Sequence, residues 1–545
     1  MGMKVLKKLI PVLFLGVFIG LGFFIMTPTK LKEEEEMVTA WNHLSNIAKE
    51  PHESESREIK QVKEYLREQF KSMGVSYEED NFTYDGVDLT NFLVEYDAPG
   101  TDEGVMFVSH FDSVSDGPGA CDDGISVASI LAAMKEIDGQ ELKNDLYFLF
   151  TDGEELMMYG AKHFISEYGE KYRNKVKLVL NFESRGTKGP LLMFETSSDN
   201  KNLVRLLQKS VPSGSTAFSF AAEVYKTMSN DTDLTEFLNA GYTGMNFAVV
   251  GGGENYHSPY DNMDVLNKDT AYMYVSTVNE LVHSMQDYDL STVSSNEDGV
   301  YFPIWKGKNL LVSKTAIHIL AIAACTLFLG LLVWAGQRKK IRLTKVAVSS
   351  GIIVVTMLVS GGIIYLIGVI CERIYAPMDH TVWNVVRIRN YGVIGAIGTG
   401  VIVSAVCVIF LGRHLGNAFE RLLLDGLFFF AATIILYIRL DAFLYLAAFP
   451  LLVFDLILGG EVLNLSGNGA GKVVRTLFAY AMGLVSAVLF IPALSVVYDA
   501  LLALKSFQIS GYAYGLISAF LGIMFFLATA EESGKKIKKV RNSRK

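Results

Sequence analysis

The sequence predicts an α/β domain, a three-layer sandwich around a mostly parallel central sheet, followed by a multi-span α-helical membrane domain. Helix-like and strand-like patterns alternate between residues 30 and 301, which is typical of a parallel sheet covered by helices. That stretch contains no apolar run of about 20 residues, the length that crosses a bilayer, whereas the chain after residue 315 contains several. The chain therefore combines a water-soluble part with a membrane part.

An apolar segment near the N-terminus is the first element. Leu9–Met26 carries no charge, follows Lys7 and Lys8, and has about the length that crosses roughly 30 Å of hydrocarbon. A cleaved signal peptide and an uncleaved anchor both fit this pattern. More apolar residues follow Gly20-Leu21-Gly22, so a small-x-small cleavage site is not evident and the anchor is favoured. We expect residues 1–29 to form a cytoplasmic start and a transmembrane anchor.

Residues 30–301 are expected to form one domain on the far side of the membrane. Glu58–Met73 has apolar residues at helical spacing and is followed by Gly74, a typical helix stop. Ile125–Ile137 and Glu155–Tyr168 are further predicted helices. The predicted strands are Phe92–Tyr96, Val105–Ser109, Leu146–Phe150, Val176–Asn181 and Met245–Val250.

A linker at 302–315 is expected to lead into a membrane domain at 316–534, followed by a basic cytoplasmic tail at 535–545. The seven candidate spans are Ala316–Gly336, Val346–Cys371, Gly392–Leu411, Leu422–Ile438, Ala442–Gly459, Val474–Val497 and Tyr512–Ala530. Only Arg439, Leu440 and Asp441 separate the fourth span from the fifth, which indicates a tight hairpin or one broken element.

Positive charge predicts the orientation, because Lys and Arg are retained on the cytoplasmic side. With eight spans in all, most of the basic clusters fall on one side of the membrane, which places both termini in the cytoplasm and residues 30–301 outside. The loop carrying Arg373, Arg387 and Arg389 is the exception. The clusters that agree are Lys4–Lys8, Arg338–Arg342, Arg413 with Arg421, and Lys535–Lys545.

The cysteine content and the net charge indicate which compartment and which partners the protein has. Of the four cysteines, only Cys121 lies in residues 30–301, so no disulfide forms within that domain and its fold must depend on its core. This favours a bacterial plasma membrane over an endoplasmic-reticulum or vacuolar membrane. The net charge of −9 and the acidic outer domain disfavour nucleic acid as a partner.

Polar clusters follow the predicted strands, where functional residues of such sheets are expected. Each has an ordinary structural explanation alone: Asp122-Asp123-Gly124 suits a helix N-cap, and Glu154-Glu155 suits a helix dipole. Together, two histidines and three carboxylates form a nitrogen and oxygen ligand set that suits zinc or a similar divalent ion. The clusters are Ser109–Asp112, Pro118–Gly124, Gly153–Glu155, Asn181–Glu183 and Glu254–Pro259.

The order of these motifs resembles the M28 family of zinc aminopeptidases. The motifs are His-x-Asp, Gly-Ala-x-Asp-Asp-Gly, Glu-Glu, a further acidic residue and a late His, and the resemblance covers about Thr39–Glu280. It includes "IAKEPHESESREIKQVKEYLREQF" and "NDTDLTEFLNAGYTGMNF". A peptidase domain followed by many spans resembles the branch of endoplasmic-reticulum metallopeptidases and vacuolar membrane proteases. The resemblance implies a zinc aminopeptidase-like sandwich and two Zn²⁺ ions.

The resemblance also implies a role for each matching residue. Asp122 would bridge the two zinc ions, and Glu154 would be the general base that takes a proton from the attacking water. Glu155 would thus bind metal, while its neighbour Glu154 accepts and then donates the proton. Asp112 would orient the imidazole of a ligand. The remaining ligands would be His110 and Glu183 for one zinc, and Glu155 and His257 for the other.

The sequence differs from the family pattern at two positions, and two further residues are candidates for substrate binding. Many family members have Asp at the position of Glu183, whereas Glu at this position resembles the membrane-anchored branch. Cys121 precedes Asp122 and is interpreted as a small buried residue, with an inhibitory zinc-binding thiol as the alternative. Tyr256 and Asp233 are the candidates for substrate binding.

The expected function is therefore a membrane-anchored, zinc-dependent exopeptidase that removes N-terminal residues from peptides. A glutaminyl-cyclase-like reaction, or carboxypeptidase or dipeptidase activity, on the same fold is the nearest alternative. A membrane scaffold or transporter whose outer domain has lost catalysis is a different class. Ionisable residues inside membrane spans are the usual sign of a transporter, and Asp455 lies within a predicted span. A structural role is the favoured interpretation of Asp455.

Overall fold

The computed structural model describes two compact units, one containing Phe24–Lys314 and the other Thr315–Leu494. The first unit contains the α/β sheet, and the second consists of apolar helices. The described residues are 2–32, 34–137, 142–226, 228, 230–338, 342–375, 395–407, 418–462, 469–503 and 522.

A mixed sheet of eight strands forms the centre of the first unit. The strands are β1 (Tyr77–Tyr84), β2 (Val87–Tyr96), β3 (Gly104–His110), β4 (Asp145–Thr151), β5 (Val176–Ser184), β6 (Lys188–Thr196), β7 (Thr216–Ala217) and β8 (Gly244–Gly251). Their order is β1-β2-β4-β3-β5-β8-β6-β7. The central strands β4, β3, β5 and β8 are parallel, whereas β1, β2 and β6 pair antiparallel with their inner neighbours. The predicted α/β class is confirmed, and the parallel arrangement holds for the centre of the sheet.

Helices cover both faces of this sheet and complete three layers. One face is covered by α2, α3, α4, α6 and α9, whose apolar side chains share a core with the strands. The other face is covered by α5 and α8. The helices of this unit are α2 (Glu35–Ile47), α3 (Arg57–Met73), α4 (Ile125–Met134), α5 (Tyr159–Tyr172), α6 (Lys201–Ser210), α7 (Ser219–Tyr225), α8 (Asp233–Asn239) and α9 (Lys268–Met285), and α1 (Gly2–Ile25) precedes them.

A row of phenylalanines crosses the four parallel strands. Phe107 of β3 stacks on Phe148 of β4 with ring centroids 5.2 Å apart, and Phe182 of β5 stacks on Phe247 of β8 at 5.1 Å. Phe107 and Phe182 are parallel at 6.3 Å. Large aromatic side chains bury much apolar area, so this row fixes the strands against the helices.

Three predicted helices are present with adjusted ends. As expected, α3 ends at Gly74, which has a left-handed φ of 69°. The helix predicted to start at Glu155 instead starts at Tyr159, because Met157 and Met158 have φ angles of 73° and 59°, which a right-handed helix cannot include. The glutamate pair therefore lies in a turn and not on a helix. The helix predicted as Ile125–Ile137 ends at Met134.

The stretch 302–315, expected to be a linker, is largely structured. Strands β9 (Gly299–Trp305) and β10 (Lys308–Ser313) form an antiparallel hairpin. The compact unit accordingly extends to Lys314, beyond the predicted domain end at 301.

The second unit is helical. Helices α13 and α14 pack together, with Phe429 and Phe454 in ring contact at 5.4 Å, and a short 3-10 turn joins them at the predicted hairpin. The helices are α10 (Lys314–Arg338), α11 (Leu343–Tyr375), α12 (Gly395–Cys407), α13 (Ala418–Arg439), α14 (Tyr445–Val462) and α15 (Gly469–Ala503).

Four helices in the described residues are long and apolar enough to cross a membrane: Lys314–Gln337, Thr344–Leu366, Leu422–Arg439 and Thr476–Val497. They coincide with the first, second, fourth and sixth predicted spans. Ile10–Ile25 and Gly395–Cys407, at the predicted anchor and third span, form shorter apolar helices. The fifth predicted span coincides with α14, and the seventh, Tyr512–Ala530, lies outside the described residues except for Gly522.

A buried ion pair joins α3 to the end of β4. Lys63 Nζ lies 2.6 Å from Asp152 Oδ2, and their side chains are 10% and 0% exposed. The same carboxylate accepts hydrogen bonds from the Ser54 hydroxyl at 2.8 Å and the Thr90 backbone N–H at 3.1 Å. Asp152 is thus fully enclosed by partners just before the glutamate pair.

Replacing Lys63 with methionine should lower the free energy of unfolding by about 3–5 kcal/mol, because it leaves the buried Asp152 carboxylate without its counter-ion. Thermal unfolding of the full-length protein in detergent measures the change. Lys60→Met, on the exposed side of the same helix, is the matched control and should change stability by less than about 0.5 kcal/mol. Equal melting temperatures for the two variants would contradict this role of Lys63.

Candidate metal centre

The carboxyl ends of the parallel strands bring the candidate ligands to one edge of the sheet. His110 is the last residue of β3, and Glu183 is the penultimate residue of β5. Glu154 and Glu155 follow β4, and His257 follows β8. Because these four strands run in the same direction, the side chains meet although they are far apart in sequence.

Asp122 reaches this edge from a tight turn, Ala120–Gly124, between β3 and α4. Gly119 starts the turn with φ of 61°, and a Cβ there would lie 2.6 Å from the Asp122 carbonyl oxygen. A side chain at 119 is therefore excluded by both the backbone conformation and space. The Asp122-Asp123 peptide bond is cis.

Two groups of ligand-type side chains share Asp122. In the first, His110 Nε2 lies 3.5 Å from Asp122 Oδ1 and 3.6 Å from Glu183 Oε2. In the second, His257 Nε2 lies 3.2 Å from Asp122 Oδ2 and 3.0 Å from Glu155 Oε2. Within each group the ligand atoms lie within 4.8 Å of one another. The two groups have the membership that the resemblance implies for two metal ions with a bridging aspartate.

The chemistry of this donor set fits divalent cations. His110 Nε2 and Glu155 Oε1 are buried atoms for which no hydrogen-bond partner is found among the described residues. Burial lowers the pKa of His257, but hydrogen bonds with Asp122 and Glu155 outweigh this effect and raise it to about 10. The carboxylates thus favour positive charge between them, which a divalent cation supplies.

Asp112 lies behind the first group. The Nδ1 atom of His110 is 3.0 Å from the Asp112 backbone carbonyl oxygen and 3.4 Å from its Oδ1. The Asp112 carboxylate also accepts hydrogen bonds from the backbone N–H groups of Glu154 and Glu155, both at 3.2 Å. Asp112 therefore links the orientation of the imidazole to the turn that carries the glutamate pair.

Asp261 is a supporting residue that the sequence analysis missed. Its carboxylate accepts hydrogen bonds from the backbone N–H groups of Cys121 at 2.8 Å and Asp122 at 3.0 Å. Burial, reinforced by the charge of Asp122, raises the pKa of Asp261 to about 7. Its position four residues after His257 was the only available signal.

Cys121 lies in the core beside its neighbour Asp122. Its side chain is 1% exposed and belongs to the apolar core, and burial raises the pKa of its thiol. Neither of the candidate ligand groups in the described residues includes it. This placement agrees with a small buried residue.

A cleft opens beside the ligands. Burial, reinforced by the charge of Glu183, raises the pKa of Glu154 well above its usual value. Arg185 and Tyr225 are cleft residues that the sequence analysis did not select, and the position of Arg185 just beyond a strand end was its signal. The cleft is lined by Asp122, Glu154, Glu155, Met157, Met158, Glu183, Ser184, Arg185, Phe194, Tyr225, Asn230, Asp231, Thr232, Ala248 and Tyr256.

The two substrate-binding candidates lie in different places. Tyr256 lines the cleft, and its ring stacks on His257 with centroids 3.7 Å apart. Asp233 does not line the cleft: it is fully buried and accepts a hydrogen bond from the Thr151 hydroxyl. Its charge contributes to the raised pKa of Glu154, and its full burial argues against direct substrate contact. The neighbouring Asp231 does line the cleft.

Comparison with known proteins identifies relatives. The model of peptidase family M28 matches residues 91–282. The chain is 24% identical over 346 residues to the vacuolar membrane protease of Candida albicans (strain WO-1), covering 60% of this chain and 39% of that protein. It is 28% identical over 184 residues to endoplasmic reticulum metallopeptidase 1 of Mus musculus, covering 32% of this chain and 20% of that protein. The chain thus spans less than half the length of either relative.

A solved aminopeptidase structure also matches part of the chain. The aminopeptidase from Aneurinibacillus sp. strain AM-1 covers 46% of this chain and 93% of its own, with 13% identity and a TM-score of 0.40. In this chain the candidate ligands, from His110 to His257, lie inside the residues that the family model matches, and helices of membrane-spanning length follow them. Residues 91–282 thus match peptidase family M28, and the chain is similar to a vacuolar membrane protease and to an endoplasmic reticulum metallopeptidase.

Proposed function

We propose that the domain at 30–301 is a zinc-dependent exopeptidase that hydrolyses the N-terminal peptide bond of its substrates with two Zn²⁺ ions. The observation that carries this proposal is the pair of ligand groups that share the Asp122 carboxylate. His110 and Glu183 would complete the first site, and Glu155 and His257 the second. When bound, such ions polarise the scissile carbonyl and lower the pKa of the attacking water.

Glu154 is the proposed general base. It lies in the cleft beside the ligands but belongs to neither ligand group in the described residues, so its carboxylate stays available for a proton. Burial raises the pKa of the Glu154 carboxyl, which favours its accepting a proton from water. Asp112 positions the Glu154 backbone through the hydrogen bond described above.

Tyr256 is the proposed substrate contact. Burial raises the pKa of its hydroxyl well above the usual value, so the group remains a hydrogen-bond donor at neutral pH. A donor in this cleft can bind the substrate carbonyl as negative charge develops on it. Stacking on His257 fixes the ring next to the second ligand group.

A one-metal cyclase on the same fold remains the nearest alternative. It requires only one ligand group, whereas this chain forms both. Metal stoichiometry and the product formed from an N-terminal glutaminyl peptide separate the two reactions.

Glu154→Gln should lower kcat for an alanyl amide by about 10²–10⁴-fold, because the amide cannot accept the proton, while bound zinc stays unchanged. Elemental analysis and amine release, measured on the same full-length preparation, check both parts. Glu170→Gln, an exposed change on α5, should have wild-type activity. Loss of zinc together with activity in Glu154→Gln would instead make Glu154 a ligand.

The shared ligand predicts an asymmetry in metal content. His257→Ala should reduce the zinc content from about two to about one ion per chain, whereas Asp122→Ala should reduce it below about one, because both groups lose an oxygen donor. Elemental analysis after dialysis against zinc-free buffer measures the ratio. Equal stoichiometries for the two variants would argue against a bridging Asp122.

We further propose that the peptidase domain lies outside the cytoplasm of a bacterial cell, with both termini inside. A membrane-impermeant maleimide added to intact cells should then label Glu170→Cys but not Lys8→Cys, because only the first thiol faces the medium. Cell lysis before labelling should expose both sites. Labelling of Lys8→Cys in intact cells would reverse the proposed orientation.

A further inference from the structure

Arg185 is a cation held inside the acidic cleft. It follows Glu183 by two residues, is half-buried, and its backbone N–H donates a hydrogen bond to the Val249 carbonyl of β8 at 2.8 Å. Its guanidinium lies over the Tyr256 ring, 5.0 Å from the centroid. Since Tyr256 in turn stacks on His257, the positive charge lies one aromatic ring away from a proposed zinc ligand.

The guanidinium has no carboxylate partner of its own in the described part of the chain. Lys188, the next cation along the sequence, pairs with Glu254 at 3.3 Å. The guanidinium of Arg185 contacts the Tyr256 ring and the side chain of Asn230. In the amide orientation that satisfies hydrogen bonding, the Asn230 oxygen accepts hydrogen bonds from both terminal nitrogens of Arg185. A half-buried arginine with only neutral partners retains the capacity to bind an anion.

The ligand carboxylates do not require this charge. The ligands Asp122, Glu155 and Glu183, with the neighbouring Glu154, supply at most four negative charges, which two divalent cations of the proposed function would balance. Arg185 is the only Lys or Arg among the cleft-lining residues that the structure describes. Its charge is therefore available to a ligand that enters the cleft.

We propose that Arg185 binds a carboxylate of the substrate close to the scissile bond, and this inference rests on the proposed exopeptidase function. The carboxylate is either the free C-terminus of a short peptide or an acidic side chain next to the cleaved bond. The planar guanidinium matches a carboxylate with two parallel hydrogen bonds, which lysine cannot reproduce. A purely structural Arg185 would act through Tyr256 and would affect all substrates alike.

The test uses the zinc-loaded full-length protein in detergent and two matched pairs of substrates. Ala-Ala and Ala-Ala-amide differ in the C-terminal carboxylate, and Ala-Glu-amide and Ala-Gln-amide differ in a side-chain carboxylate. Arg185→Gln and Arg185→Lys are compared with Lys177→Gln, which removes one charge from the opposite end of β5, where Lys177 pairs with Glu103 at 3.0 Å.

The wild type should prefer the carboxylate-bearing member of one pair, and that pair identifies the source of the anion. Arg185→Gln should lower kcat/KM for that member by about 10- to 100-fold, the loss expected for a charged hydrogen-bonded pair. Its neutral partner should change by less than about threefold, as should both members with Lys177→Gln. Arg185→Lys should restore little, because it lacks the two-pronged geometry.

A binding measurement separates recognition from turnover. In a Glu154→Gln background, calorimetric titration should show that Arg185→Gln weakens binding of the preferred substrate and not of its neutral partner. Equal losses on both members of each pair, or no wild-type preference in either pair, overturn the inference. Hydrolysis of the neutral amides in that case leaves the proposed function intact, whereas a zinc-loaded wild type that hydrolyses none of the four substrates refutes the function itself.

Discussion

The parallel register of β4, β3, β5 and β8 determines where every candidate ligand lies. His110 of β3 is level with Thr151 of β4, so the histidine and the turn carrying the glutamate pair leave the sheet at the same height. A slip of one residue would turn the His110 side chain to the opposite face of the sheet. The stacked phenylalanines oppose such a slip, because their contacts hold only in this register. The apolar core thus sets the geometry of a polar site.

Without bound cations, the clustered carboxylates of this site repel one another and raise the electrostatic energy of the folded domain. Asp122, Glu155 and Glu183 lie close together with low exposure, and burial, reinforced by the charge of Asp122, raises the pKa of Glu155 to about 7. The domain tolerates this arrangement because neutral backbone donors and buried ion pairs, such as Lys63 with Asp152, hold the surrounding turns in place. Stability is supplied outside the ligand set, and the ligands themselves remain available for binding.

The sequence predicted the parts of this fold whose residues carry a local signal. The apolar runs of β3, β4, β5 and β8 were recognisable because these strands are buried along their length. Strand β1 was missed because it alternates exposed and half-buried residues, many of them polar, at the sheet edge, and β6 because Gly189 and Pro190 lie near its start. The ligand candidates lie at strand ends or in the loops that follow them, and their residue types allowed them to be selected. Asp261 and Arg185 matter through contacts that only the folded chain makes.

The hydrogen bond between Asp122 and Asp261 also bears on how the site is built during synthesis. The two residues are 139 positions apart in the sequence. The backbone of Asp122 therefore gains this hydrogen bond only after the ribosome has made the segment that contains Asp261, much later than the turn that contains Asp122. The same late segment carries His257. A growing chain that has produced β3, β4 and β5 but has not reached residue 261 therefore holds scattered carboxylates and no finished centre. Completion of the centre therefore requires the segment that follows β8.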